Sequence, residues 1–408
     1  MIRNIKLEDA TTLLLSKVKP LPLEDINILQ LQNRILGKDI VSSFNIPPFN
    51  RSPLDGYALI SSNIQGSSKE APAKLHVIAE VAAGEVFHGE VINGQAVKIM
   101  TGAPIPEGAD TVIRKEDTDE GIEFVNIYTP LKPYSNYAFS GEDVKSGETI
   151  LTKGQKLDYS SIGMLASLGH LSAMVYEKPK VSILSTGSEL TDLGNPLLPG
   201  KIYNSNLYSI GALVESLGCT PLLLPSVNDE VNLIAEKMEE SLKHSNILIT
   251  TGGASVGDYD LIAESLRSIS ANILFHRIAM KPGTPVIAAE KDGKLIIGLS
   301  GNPAAALISF ELVARPILLR MAGIPILERP TIKGILVDDF NKTSSQRRFL
   351  RVIATKGKTS YEIKLAGKQN PGVLKSMISC NGLIDIPPKT SLESGQEVEV
   401  IMLMDGVY

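Results

Sequence analysis

The residues best suited to chemistry gather in short Gly- and Pro-rich segments that follow apolar runs between 179 and 303. After VSILST come Gly187, Ser188 and Glu189, a small bend that sets one carboxylate beside a strand end. After NILITT comes Gly252-Gly253-Ala254-Ser255-Val256-Gly257-Asp258, whose glycines permit close backbone approach and whose successive N–H groups can form an anion-binding nest. After LIIGL come Ser300-Gly301-Asn302-Pro303 and an apolar helix, with Asn302 in capping position and Pro303 as its first residue. Helix N-termini present free N–H groups to phosphates. FHRIAMKPGTP adds Arg277 and Lys281, two cations suited to an oxyanion or phosphate, and Asp229 and Asp260 join Glu189 as carboxylates on the same rim. Mg²⁺ takes such oxygen ligands and bridges one or two carboxylates to substrate phosphates. Taken singly, each segment also reads as a turn or a helix cap.

Other chemistries lose ground. Asp258 stands where a phosphate-binding P-loop needs lysine, and no GxGxxG fingerprint occurs. His76, His88, His170, His244 and His276 lack metal-ligand spacing, and two cysteines make no structural zinc site. Two further segments, PPFNRSPLDGYAL with Asp55 and IMTGAPIPEGADTVI with Thr101, read locally as turns. The run Arg347-Arg348-Phe349-Leu350-Arg351 either reaches the active site or forms a solvated strand edge, and the edge is the favoured reading.

The elements that must position these residues follow from patterning. Strand-like and helix-like runs alternate over 179–325, which predicts an α/β domain with a mainly parallel sheet, whose ligands collect beyond the carboxyl ends of the strands. Ile5, Leu14, Leu15 and Val18 form one helical stripe and Leu23 to Leu36 a second, and helix-like patterning returns in DYSSIGMLASLGH, with Asp158 as N-cap and Gly169 as stop. Residues 1–46 and 141–178 are therefore expected to form a helical N-terminal part, 47–140 a β-rich insert, and 326–408 a small C-terminal β-barrel.

With 408 residues the chain exceeds what one core organises, and several domains are expected. Forty basic against forty-five acidic residues give a net charge of −5, which argues against a general nucleic-acid binder. Cys219 and Cys380 lie far apart, which fits a reducing cytoplasm. The N-terminus lacks the apolar core of a signal peptide, and nowhere do 18 apolar residues run together, so export and membrane spanning are not expected.

In order along the chain, PPFNRSPLDGYAL, IMTGAPIPEGADTVI, SILSTGSEL, TTGGASVGDYD, MKPGTP and LSGNPAAAL closely resemble the motifs of the molybdopterin molybdenumtransferase family, to which gephyrin's C-terminal domain belongs. The resemblance implies a homodimer of four-domain subunits, with the insert of one chain facing the α/β domain of the other. It implies adenylylated molybdopterin and molybdate (or tungstate) as substrates, AMP as a product and Mg²⁺ as cofactor. The adenylyltransferase that makes the substrate and the recipient molybdoenzymes are the implied partners. By motif position, Glu189, Asp229 and Asp260 would hold Mg²⁺ or orient the attacking oxyanion, and Asp55 and Thr101 would close the site. Arg277 and Lys281 would neutralise molybdate and phosphate. Gly252, Gly253, Ser255, Gly257 and Asp258, with Ser300, Gly301, Asn302 and Pro303, would bind nucleotide or pterin phosphates. The chain departs from the family pattern at Asn50, commonly Asp, at Pro53-Leu54, commonly Ala-Met, and at Thr284, commonly Lys. An adenylyltransferase-like enzyme, whose fold resembles the α/β domain alone, and a scaffold paralogue are the competing readings.

Overall fold

The computed structural model describes residues 2–253 and 261–403, so Ser255, Gly257, Asp258 and Asp260 lie outside the described residues. The chain forms two compact units, Asp39–Thr152 and the combination of Met1–Lys38 with Lys153–Tyr408. The first begins before Pro47 and ends after Ser140, because the paired strands Ile40–Val41 and Thr149–Leu151 flank the β-rich insert.

In the larger unit a seven-stranded sheet runs in the order Ile2–Ile5, Asn272–Ile278, Ile287–Lys291, Lys294–Leu299, Ile247–Thr251, Lys180–Ser185, Thr220–Leu223. All neighbours are parallel except Ile287–Lys291, which runs against both of its partners. Lys180–Ser185 is buried from Val181 to Ser185, as a strand covered on both faces must be. Alternate side chains supply two cores. Val181, Ile183, Ile249 and Ile297 pack with Ile210, Val214 and Ile317 on one face. Leu184, Leu248 and Ile296 pack with Ile234, Met238, Ile262 and Leu266 on the other. Each such side chain stabilises the layer by roughly 1.5–3 kcal/mol relative to exposure.

The opening of the chain differs from its patterning. Ile2–Ile5 is not helical; it adds a parallel edge strand to the sheet, with Ile5 beside Ile278. The helix starts only at Leu7 and runs to Leu15. The segment expected as a second helix contains the strand Leu23–Asn27, paired antiparallel with Ser172–Tyr176, and a single 3-10 turn at Ile28–Gln30. Its apolar spacing suits either period, and a partner distant in sequence decides for the strand. Asp158 does cap the helix Tyr159–Ser167, accepting from the Ser161 N–H, and Gly169 follows at φ 79°.

The C-terminal region closes into a barrel. Arg347–Lys356 pairs with Tyr361–Leu365 on one side and Gly382–Ile386 on the other, and Thr331–Leu336 and Glu397–Met402 complete the ring. The Arg347 run is therefore no solvated edge: Arg351 is fully buried and Arg347 pairs with Asp385 at 2.5 Å. The short strand Met280–Lys281, which leaves the large sheet, joins the barrel through Arg347 and Arg348.

The smaller unit is built on a five-stranded sheet in the order Thr111–Arg114, Gly56–Leu59, Gln95–Ile99, Ala73–Val81, Phe124–Ile127. Gly56 admits no side chain, since a Cβ there would stand 1.8 Å from the Ile113 carbonyl oxygen. Among the described residues no helix is long and apolar enough to cross a membrane.

Candidate functional site

The loops after three adjacent strands converge. Beyond Lys180–Ser185, Thr186 takes its N–H to Thr251 O (2.8 Å) and Gly187 takes its N–H to Val227 O (3.1 Å). The Ser188 N–H donates to Asp229 Oδ2 at 3.2 Å, so the expected carboxylates Glu189 and Asp229 flank one serine, both exposed. A side chain at Gly187 would meet Glu189 Oε2 at 2.6 Å; glycine leaves room for the carboxylate.

Beyond Ile247–Thr251, Gly252 and Gly253 take φ of 88° and 62°. A Cβ on Gly252 would lie 2.0 Å from Thr186 O, and one on Gly253 2.8 Å from Thr186 Oγ1. Gly301, beyond Lys294–Leu299, packs against Gly252, with its Cβ position 3.3 Å from the Gly252 Cα. Small residues thus let three backbones meet at one rim, the arrangement the close-approach reading requires.

Ser300 is buried, and its Oγ accepts from the Asn302 N–H at 3.2 Å. Asn302 occupies the N-cap position of Pro303–Ser309 but makes no side-chain cap bond, contrary to its expected role. Part of the helix terminus is already occupied, because the Ala305 N–H donates to Pro371 O of the barrel region.

Arg277 and Lys281 emerge from Asn272–Ile278. Two antiparallel steps separate that strand from Lys294–Leu299, so its carboxyl end lies on the same side of the sheet as the three loops. Lys281 is exposed, and Arg277 has φ 75° while its N–H donates to Val286 O. Thr284, where the resemblance leads one to expect lysine, donates its hydroxyl to Met280 O at 2.5 Å. It closes the turn that carries Lys281 and sends out no charge.

In the smaller unit Asp55 Oδ1 accepts from both the N–H (2.8 Å) and the hydroxyl (2.7 Å) of Thr101. The Thr101 hydroxyl, its N–H and the more distant Lys115 hold the Asp55 carboxyl below the usual carboxylate range. Asp55 is thus ionised at neutral pH.

Patterning missed several groups at the strand ends. Thr186, Thr250 and Asn204 each bury a polar atom (Oγ1, Oγ1 and Nδ2) that has no partner among the described residues. Such atoms are costly unless something satisfies them. Asn206 ties the rim together by donating to Gly301 O at 2.9 Å. The only signal for these was the polar pair of asparagines around Ser205, which also reads as a helix start. For Mg²⁺ the available donors are right in kind but few. Among the described residues no group of three or more His, Cys, Asp or Glu is placed to hold a metal, and Asp260 lies outside them.

An α/β domain of this kind, with its glycine-bearing rim, is the type that residues 182–320 match as a probable molybdopterin binding domain. Residues 5–169 match the MoeA N-terminal region (domain I and II), and 333–403 the MoeA C-terminal region (domain IV). A molybdopterin molybdenumtransferase of Staphylococcus epidermidis is 36% identical over 93% of this chain and 90% of its own length. One from Staphylococcus aureus is 35% identical over 98% and 95%. A crystal structure of a molybdopterin biosynthesis MoeA protein from Pyrococcus horikoshii superimposes with a TM-score of 0.88 at 31% identity, covering 99% of this chain and 100% of that one. The chain belongs to the molybdopterin molybdenumtransferase family of molybdenum-cofactor biosynthesis.

Proposed function

We propose that the protein works in the cytoplasm as a homodimer and transfers molybdenum from molybdate, or tungsten from tungstate, to adenylylated molybdopterin with release of AMP. The observation that carries this reading is the convergence of three strand-end loops, with Gly252 against Thr186 O, Gly301 against Gly252, and Asp229 accepting from the N–H of Ser188, the residue before Glu189. Backbone that close, beside buried hydroxyls that have no partner among the described residues, suits a phosphate-bearing ligand. Glu189 and Asp229, with Asp260, would hold Mg²⁺. When bound, the ion neutralises phosphate oxygens. Arg277 and Lys281 face the oxyanion with preorganised charge, which lowers the barrier most in a partly dry site. Asp55, fixed by Thr101, serves the same reaction as an ionised, oriented carboxylate.

The test incubates purified protein with adenylylated molybdopterin, Mg²⁺ and either oxyanion. It quantifies AMP and the product's ability to activate a cofactor-free molybdoenzyme. Oxyanion-dependent AMP release that is lost in Asp229→Ala, and that requires more Mg²⁺ in Asp229→Asn, is expected. Tight substrate binding without AMP release would sink the transferase reading, and AMP release unaffected by chelation would sink the Mg²⁺ assignment.

A further inference from the structure

Beside the Asp55–Thr101 pair the smaller unit carries an aromatic cluster that the reaction as described above does not use. Tyr134, Tyr137 and Phe139 contact one another with ring centroids 4.8–5.4 Å apart. Yet Tyr134 is 58% and Phe139 47% exposed. Water-facing aromatic clusters mark binding surfaces.

This cluster is held rigidly. Arg51 pairs through its backbone with Ala138 on one side and is bridged to Pro104 on the other. Ala138 and Pro104, each bridged to Arg51, therefore lie about 10 Å apart at ordinary strand spacing, and Thr101 stands three residues before Pro104. Tyr134 takes a left-handed φ of 63°, unusual for a bulky side chain, while Asn136, of a type that tolerates this region, takes 53°. Such strain persists only where surroundings impose it, and it concentrates at ligand sites. Here Asp110 O accepts the Tyr134 N–H, and Asn136 Nδ2 donates to Val112 O.

Asn50, where the resemblance leads one to expect aspartate, sets the polarity of the cluster. Its Oδ1 accepts from the Ser140 N–H at 2.9 Å, which can only donate, so its Nδ2 faces and donates to Tyr137 Oη at 2.8 Å. Tyr137 is thereby an acceptor toward Asn50, and its own proton points elsewhere. One turn beyond Phe139 stands Glu142, whose N–H donates to Phe139 O. Its carboxylate is 48% exposed and only 3.9 Å from Arg51, a pairing too loose and wet to occupy it.

We propose that Tyr134 and Phe139, whose ring planes are tilted 47° to one another, form a V-shaped platform on which the pterin ring of the substrate stacks against one ring and meets the other at its edge, with Glu142 receiving its pyrimidine edge and Tyr137 donating to a ring acceptor. This deepens, and rests on, the reading that the substrate is an adenylylated molybdopterin. A carboxylate beside an aromatic face selects pterin over adenine. The 2-amino-4-oxo edge of a pterin offers two adjacent N–H donors that match both carboxylate oxygens. Adenine sets its one amino donor beside an acceptor.

The test compares full-length Phe139→Ala, Tyr134→Ala and Glu142→Gln with Tyr159→Ala, an exposed tyrosine outside the site. Two readouts are taken: KM and kcat for adenylylated molybdopterin, and equilibrium affinities for molybdopterin without its adenylyl group and for AMP alone. Loss of stacking should raise KM and weaken molybdopterin binding by about tenfold, with AMP affinity and kcat retained. Unchanged molybdopterin affinity in the folded platform variants overturns the assignment. So does a loss confined to AMP, which would place adenine on the platform, or dissociation of the oligomer, which would make the patch a protein interface. If the wild type releases no AMP, the transferase reading fails, while the molybdopterin-binding arm still decides the platform.

Discussion

Replacing Gly252 by alanine asks how closely three loops must meet for turnover. At φ 88° any side chain is strained, and the added Cβ would sit 2.0 Å from Thr186 O. Real Cβ contacts essentially never fall below 3.0 Å, so the loop beginning at Thr186 and the loop beginning at Gly252 must separate by about 1 Å or more. Gly218 provides the control. It has φ 77°, and its Cβ would meet only Asn33 O at 3.9 Å. Alanine there should cost about 1–2 kcal/mol for the left-handed conformation alone. Gly252→Ala should add about 1–3 kcal/mol of overpacking. Both variants stay folded if overall stability is of ordinary size, about 5–15 kcal/mol. Their activities should diverge, because a misplacement of about 1 Å at a reacting centre costs about 100-fold in rate. Thermal unfolding followed alongside AMP release separates the two effects. Gly252→Ala with the turnover and stability of Gly218→Ala would refute the claim that this contact sets the site.

Thr101→Val removes the hydroxyl that does most to lower the Asp55 carboxyl and leaves the Thr101 N–H bond in place. A depressed carboxyl stays ionised to lower pH, so the acid limb of the pH–rate profile should move to higher pH in the variant; an unmoved limb would exclude Asp55 from the reaction. Lys281→Ala should lower kcat by about 100-fold, as loss of one preorganised charge does. Stability should change by less than about 0.5 kcal/mol, since the residue is exposed and held through its main chain. A large drop in unfolding temperature with turnover preserved would reverse that assignment.

How far the sequence discloses the molecule depends on the range of the interaction concerned. The α/β region was legible because each strand is a short apolar run and each helix is amphipathic over its own length. Val231–His244 needs no distant partner to be recognised. Ile2–Ile5 and Leu23–Asn27 were not legible, since their strand partners lie at Asn272–Ile278 and Ser172–Tyr176. The burial of Arg351 was hidden for the same reason: two loop carbonyls, Lys368 O and Asn370 O, accept from a guanidinium that local sequence marks as surface. At the site, glycines and carboxylates announced themselves by type. The bond from the Ser188 N–H to Asp229, and the hydroxyls of Thr186 and Thr250 that have no partner among the described residues, needed coordinates, because serine and threonine look alike whether they cap, bridge or bind.

The attachment of Met280–Lys281 to the barrel bears on how freely this architecture can be cut and recombined. The barrel has a closed hydrogen-bonded wall and its own core, and so resembles a module that could be exchanged or trimmed. But one of its strands also holds the main chain of Lys281, the cation we propose meets the oxyanion. A chimera that swaps 326–408 alone imports a wall without the ledge it was shaped against. The heritable unit is the barrel together with the turn from Met280 to Thr284.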